Sequence, residues 1–162
     1  DDAVVVQRLP DVPLSKRSAF VNMFLAGESA GRDKRSFGFG GLGGVRGFSS
    51  SSPRESAPRV LRNNFEFRTP LFRDLNYYMW FMFPDFYFKA IYGKVFFDSA
   101  YGWDRGSQFR SFKGADIRSS AGIGVNIHTF ILQAFQLVLS FDYAVRTSDG
   151  GRIFYFYLGP LF

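Results

Sequence analysis

AFQLVLSFDYA, residues 134 to 144, sets Phe135, Leu137, Leu139, Phe141 and Tyr143 on one parity and Gln136, Ser140 and Asp142 on the other. Successive side chains of a β-strand point to opposite sides of the sheet, so a period of two marks a strand with unlike faces. One face here is large and apolar, and the other carries an acid.

The same division recurs outward along the chain. SSAGIGVNIHTF, 119 to 130, opposes Ala121, Ile123, Val125 and Ile127 to Ser120, Gly122, Gly124, Asn126 and His128. In IYGKVFFDSAYGW, 91 to 103, Ile91, Val95, Phe97, Tyr101 and Trp103 oppose Lys94 and Asp98. VLRNNFEFRTPLF, 60 to 72, sets Leu61, Phe65 and Phe67 against Arg62, Asn64, Glu66 and Arg68. SAFVNMFLA, 18 to 26, is a further strand with mixed alternation, and IFYFYLGPLF closes the chain. These segments predict an all-β antiparallel meander, broken by a polar loop at 104 to 117, a short connection near 129 to 133 and a turn at 148 to 151. Residues 1 to 17, with Pro10 and Pro13, read as an edge segment or linker.

Composition narrows the class. The chain has 162 residues, 22 Phe, 8 Tyr, 17 Gly and no Cys, with a formal charge of +6. Without cysteine there is neither a disulfide framework nor a thiolate metal site. No run of about 18 uncharged apolar residues exists to form a membrane-crossing helix. The basic residues are dispersed instead of forming a stripe, which argues against a nucleic-acid partner. An apolar face opposite a polar one suits a soluble sandwich or a transmembrane barrel with its apolar parity toward lipid. Periodicity does not separate the two. Tyr87, Tyr101, Trp103, Tyr143 and the aromatic quartet 154 to 157 lie at strand ends, as in the interfacial girdles of barrels, and this favours the barrel.

Between the first clear strands lies a long Gly-, Ser- and Arg-rich loop, 27 to 59, containing GGLGGVRGFSS at 40 to 50. Arg46 stands on a glycine stem formed by Gly43, Gly44 and Gly47. Glu66 and Asp98, on neighbouring strands and the polar parity, need partners if they face a crowded interior. A guanidinium offers five donors in a planar fork, which suits two carboxylates. Glycines on both sides would let the loop fold back into a narrow space. The pattern leaves open the plainer reading, a solvated arginine and two unrelated acids.

VRGF at 45 to 48 resembles the loop motif of the BamA/TamA superfamily, the bacterial surface-antigen barrels of the outer membrane. FEFRTPLF at 65 to 72 is similar to that family's next strand and GKVFFDSAYGWD at 93 to 104 to the one after, with its aromatic-x-Asp core. DIRSSAGIGVNI at 116 to 127 resembles the following strand, and FYFYLGPLF at 154 to 162 the closing strand with its terminal aromatic. The resemblance implies that residues 18 to 162 are the C-terminal portion of a transmembrane β-barrel, roughly six of sixteen strands. It implies that the loop enters the lumen and that Arg46 contacts Glu66 and Asp98. It implies a closing strand carrying Phe154, Phe156, Leu158, Gly159 and Phe162, an outer-membrane location and a periplasmic C-terminus.

Six strands do not close such a lumen, so the remainder must come from the same precursor, another chain or an oligomer. Gly159 and Pro160 fit a seam that pairs incompletely, since proline gives no N–H to a ladder; alternatively Pro160 lies past the last ladder bond. NYYMWFMFPDFYFK, 76 to 89, suits either an interfacial segment at the inner side of the membrane or an extra strand.

Catalytic chemistry is not expected. His128 is the single histidine, which argues against a histidine metal cluster or a serine triad. The glycine run lacks the spacings of phosphate loops, and no calcium loop appears. No cofactor is implied. The expected role is non-enzymatic: insertion and assembly of outer-membrane proteins or polypeptide translocation, with unfolded client proteins and membrane lipid as partners. The alternative is a structural barrel that anchors or scaffolds a membrane complex.

Overall fold

The computed structural model describes residues 2–15, 18–30, 35–79, 81, 85–104, 117–132 and 134–160. Ten strands occur among them: β1 Asp2–Ser15, β2 Ser18–Ser29, β3 Phe37–Gly38, β4 Ser56–Ala57, β5 Arg59–Phe72, β6 Tyr77–Met79, β7 Phe86–Trp103, β8 Arg118–Ile131, β9 Phe135–Arg146 and β10 Arg152–Pro160. The main sheet is antiparallel, in the order β1-β2-β5-β7-β8-β9-β10, with β6 paired to one end of β7. The long strands therefore follow one another as a meander, and the small β3–β4 pair lies off the sheet.

Seven long strands stand where the sequence suggested about six. The difference is β1, which pairs with β2 and stands at the edge of the sheet among the described residues. The ladder shifts register between Leu9 and Val12 and again between Pro13 and Ser15, and a strand tolerates proline at such irregularities.

Alternation decides which side chains face which way. The acid-bearing parity of β5, β7, β8, β9 and β10 forms one surface, here termed the inner face. On it Asp98, Asp142 and Ala144 are inaccessible to solvent. The opposite, outer face is apolar and exposed: Ile123 is 62 %, Phe135 63 % and Phe154 61 % accessible. Among the described residues no second sheet covers it, so Phe135, Leu137, Leu139 and Phe141 do not form a core between two sheets.

Two bulges disturb the alternation, between Pro70 and Phe72 on β5 and between Phe88 and Ala90 on β7. Within 76 to 89, Tyr77–Met79 forms a short strand that pairs with Phe86–Phe88. The closing strand pairs with β9 from Arg152 to Pro160. Pro160 is thus inside the ladder, in register with Leu137, and does not lie past it. Most of the polar loop expected at 104 to 117 and the terminal Phe162 are outside the described residues.

Candidate functional site

The segment between β2 and β5 folds back onto the inner face and is held at two places. The first hold is apolar. Phe39, Val45, Phe48 and Ala57 bury themselves with Val60 and Ala100 of the wall. The Phe39 ring lies on Gly102, where an added Cβ would stand 2.6 Å from the ring. Local hydrogen bonds shape this piece: Val45 N–H donates to Phe39 O at 2.7 Å, and Gly41 N–H to Phe48 O at 2.9 Å. Asn64 Nδ2 on β5 donates to Gly44 O at 2.8 Å.

The second hold is ionic and centres on Arg46, only 7 % accessible. Its Nε and Nη2 donate to Asp98 Oδ2 and Oδ1 at 2.7 and 3.0 Å, a paired fork-to-carboxylate contact. The Arg46 backbone N–H adds a bond to Asp98 Oδ2 at 3.2 Å. Nη1 reaches Asp142 Oδ2 at 2.9 Å and Glu66 Oε2 at 3.3 Å. The structure thus brings Arg46, Glu66 and Asp98 together. Asp142, a third acid, was visible in the sequence only as a polar-parity residue. Burial alone works against a charged Arg46; hydrogen bonds and charge from Asp98, then Asp142 and Glu66, outweigh it and hold its pKa above the ordinary arginine value.

Two further cations complete the site. Lys94 Nζ lies 2.7 Å from Asp142 Oδ1, and Arg68 Nε 2.6 Å from Glu66 Oε1. Each of the three carboxylates touches a cation, and Arg62, partly buried on the same face of β5, adds positive charge near Asp98. Such pairing lets the cluster persist largely away from water, because a buried charge without a partner is costly.

Glycine and aromatic side chains make the room. The Arg46 guanidinium sits 3.4 Å above the centroid of the Phe96 ring. That ring lies against Gly122, where a Cβ would stand 2.2 Å from its Cζ. At Gly124 a Cβ would stand 2.3 Å from Asp142 Oδ1 and 2.6 Å from Lys94 Cε, so its absence admits the Lys94–Asp142 pair. Within the stem the glycines are unequal. Gly47 has φ +94°, and a Cβ at Gly44 would stand 2.2 Å from Phe39 O; nothing lies near Gly43. The steric requirement therefore falls on Gly44 and Gly47, joined by Gly41 at φ +86°, and Gly43 is not part of it.

The closing strand joins the cluster from the far side. Tyr155 OH accepts from Gly47 N–H at 2.8 Å, and Lys94 Nζ donates to Tyr157 OH at 3.1 Å. These tyrosines do not belong to an outer aromatic girdle with their neighbours, because alternation divides the quartet. Phe154, Phe156 and Leu158 point outward and are exposed, whereas Tyr155 and Tyr157 point inward. Gly159 shares the inward parity and has no neighbour near its missing Cβ.

The arrangement is a clamp. Its carboxylates are occupied by cations, and His128 packs at a tilt against Tyr92, with 4.7 Å between ring centroids. Among the described residues no group of three His, Cys, Asp or Glu side chains is placed to hold a metal ion. No protein-family model, curated protein or solved structure matches the chain.

Proposed function

We propose that this chain is the C-terminal portion of a bacterial outer-membrane β-barrel, resembling the BamA/TamA superfamily, and that it works without catalytic chemistry. The observation that carries the reading is the outer face. On β8 the outward series runs from Ala121 to Ile131 without a charged residue. At about 3.3 Å per residue and a strand tilt of about 40° it spans roughly 25 Å, the height of the apolar band of a membrane barrel. A polar row, Asn63, Ser99 and Ser119 in register across three strands, bounds it on one side. The Tyr101–Trp103 stack lies beyond that row, at 5.4 Å between centroids, as an interfacial aromatic pair.

The two ends of the strand order, β1 and β10, have ladder edges that remain open among the described residues. Open edges are not tolerated in hydrocarbon, so further strands complete the wall. The clamped loop fills part of the inner face. The role proposed for such a barrel is insertion and assembly of outer-membrane proteins, or polypeptide translocation, using the edge of β10 as one side of a seam. The second reading, a scaffold for a membrane complex, is favoured by the loop's two separate holds and by the unbroken β9–β10 ladder. Depletion of the protein separates the two: loss of folded outer-membrane proteins from the membrane supports the insertase, and an unchanged level supports the scaffold. Both readings fail if the protein fractionates away from the outer membrane.

A further inference from the structure

The β6–β7 hairpin stands at the end of the sheet occupied by the β8–β9 turn and the C-terminal end of β10. On the main body of β7 the even positions Lys94, Phe96 and Asp98 face inward. Without interruption Phe86 and Phe88 would do the same. The bulge at Lys89 inverts them: Phe88 falls in register with Thr129, and Phe86 with Ile131, both on the outward parity of β8. Tyr77 and Met79 of β6 pair with Phe88 and Phe86 and so share that side. The extra residue therefore turns this aromatic end outward, continuous with the apolar band. Tyr77 is 54 % accessible there, and Phe72 beside it 58 %.

The polar parts of the hairpin are disposed differently. Tyr78 OH donates to Asp85 and Tyr87 OH to Asn76, so two phenols tie its limbs together on the inward side. Arg73, Asp74 and Asn76 in the connection, and Lys89 in the bulge, place charge and amide next to the rings. Aromatic side chains carried on such a polar frame match the boundary between headgroups and acyl chains.

We infer that the β6–β7 hairpin is seated in the headgroup–acyl boundary of the bilayer at the C-terminal end of the sheet, with Tyr77, Met79, Phe86 and Phe88 against lipid. This rests on the barrel reading. The occupant is a lipid surface and not a protein partner, because the hairpin continues the lipid-facing band and its polar groups are arranged for an interface.

The chain has no cysteine, so single-cysteine variants carry a fluorescent label at one site each. Labels at Tyr77→Cys, Val125→Cys and Ser148→Cys are placed in the purified complex, reconstituted in phosphatidylcholine bilayers. The lipids carry bromine either near the headgroup or near the chain terminus. The label at 125 loses most fluorescence to the chain-terminal bromine, the label at 77 to the headgroup-proximal bromine, and the label at 148 to neither. Quenching at 125 with none at 77 overturns the inference, leaves the barrel intact and assigns the hairpin to a protein surface or to water. Absence of quenching at 125 overturns the barrel reading, and the inference with it. Stronger chain-terminal than headgroup quenching at 77 overturns the assigned depth.

Discussion

The loop is fastened to the wall by two regions of opposite chemistry a few residues apart. Phe39, Val45, Phe48 and Ala57 make a small apolar core against Val60 and Ala100. Arg46 makes an ionic one with Asp98, Asp142 and Glu66. The apolar hold is tolerant of direction and gains from buried area, at about 25 cal/mol per Å². The ionic hold adds little net stability over an apolar substitute, but is severely damaged when one partner is removed, at about 3–5 kcal/mol. The first therefore supplies adhesion and the second fixes position: a fork on a carboxylate admits one register of loop on wall.

This contrast is broken most completely by removing both holds. Phe39→Ala deletes a buried ring, at about 3–5 kcal/mol, and Arg46→Ala costs a similar amount. Each single variant should leave residues 35–58 resistant to limited proteolysis of the purified protein, and the double variant should expose them to cleavage. If either single variant opens the loop as fully as the double, the two holds are not separate, and the contrast fails.

The next effect isolates the ionic hold. In Arg46→Ala, Asp142 keeps Lys94 and Glu66 keeps Arg68, but Asp98, inaccessible to solvent, loses the cation that touches it and keeps only the more distant charge of Arg62. Amide hydrogen exchange should rise most at Val45 to Gly47 and least at Phe39 and Ala57. Arg46→Lys should recover only part of the protection, because an ammonium does not reproduce the paired contact. Full recovery would show that charge, not fork geometry, fixes the register.

Lys94→Met sharpens the account of charge pairing. It leaves Asp142 Oδ1 without its lysine and removes the bond to Tyr157, and hydrogen bonds to charged groups are worth about 1.5–3 kcal/mol each. Unfolding by urea should shift by less than in Arg46→Ala, since Asp142 retains Nη1 of Arg46. A second change, Asp142→Asn, removes the carboxylate that lost its lysine and should return part of the loss. If it worsens the loss by the full cost of a second bond, the pairing of Lys94 with Asp142 has no energetic weight of its own.

How much of this was readable beforehand follows from what alternation does and does not encode. The period of two places Glu66, Lys94, Asp98 and Asp142 on one face, and does so correctly in each strand. It says nothing about which of them meet. Asp142 reaches Arg46 because strand register sets Gly124 opposite it, and because Gly124 leaves space for Lys94 as well. Neither fact is local in sequence. Tyr155 and Tyr157 were a different matter: their inward parity is present in IFYFYL itself, and reading 154 to 157 as a single aromatic block obscured it. Pro10 and Pro13 left β1 legible only as an edge segment or a linker, because proline weighs against a regular central strand. The inversion at Lys89 had no sequence sign, for a bulge shows only once the partner strand is in place.

The smallest predicted effect concerns the link between the loop and the closing strand. Tyr155 on β10 accepts the Gly47 N–H through its phenol oxygen, and Tyr157 accepts from Lys94. Tyr155→Phe removes a single oxygen and leaves the ring. Gly47 is buried, so its N–H then lacks the partner it had, at about 1–3 kcal/mol if no water reaches it and less if one does. The five hydrogen bonds of Arg46 to its acids are untouched by this change, so the loop should stay docked and resistant to protease. Hydrogen exchange should rise at Gly47 alone, and in the scaffold reading nothing further follows. In the insertase reading the closing strand and the loop must move relative to each other at the seam, and this bond is one that motion would have to break. Tyr155→Phe should then change assembly rate without changing the protein's abundance in the membrane. A variant that unfolds the loop instead would show that β10 is a third hold, as strong as the other two, and that the contrast between two regions was drawn too simply.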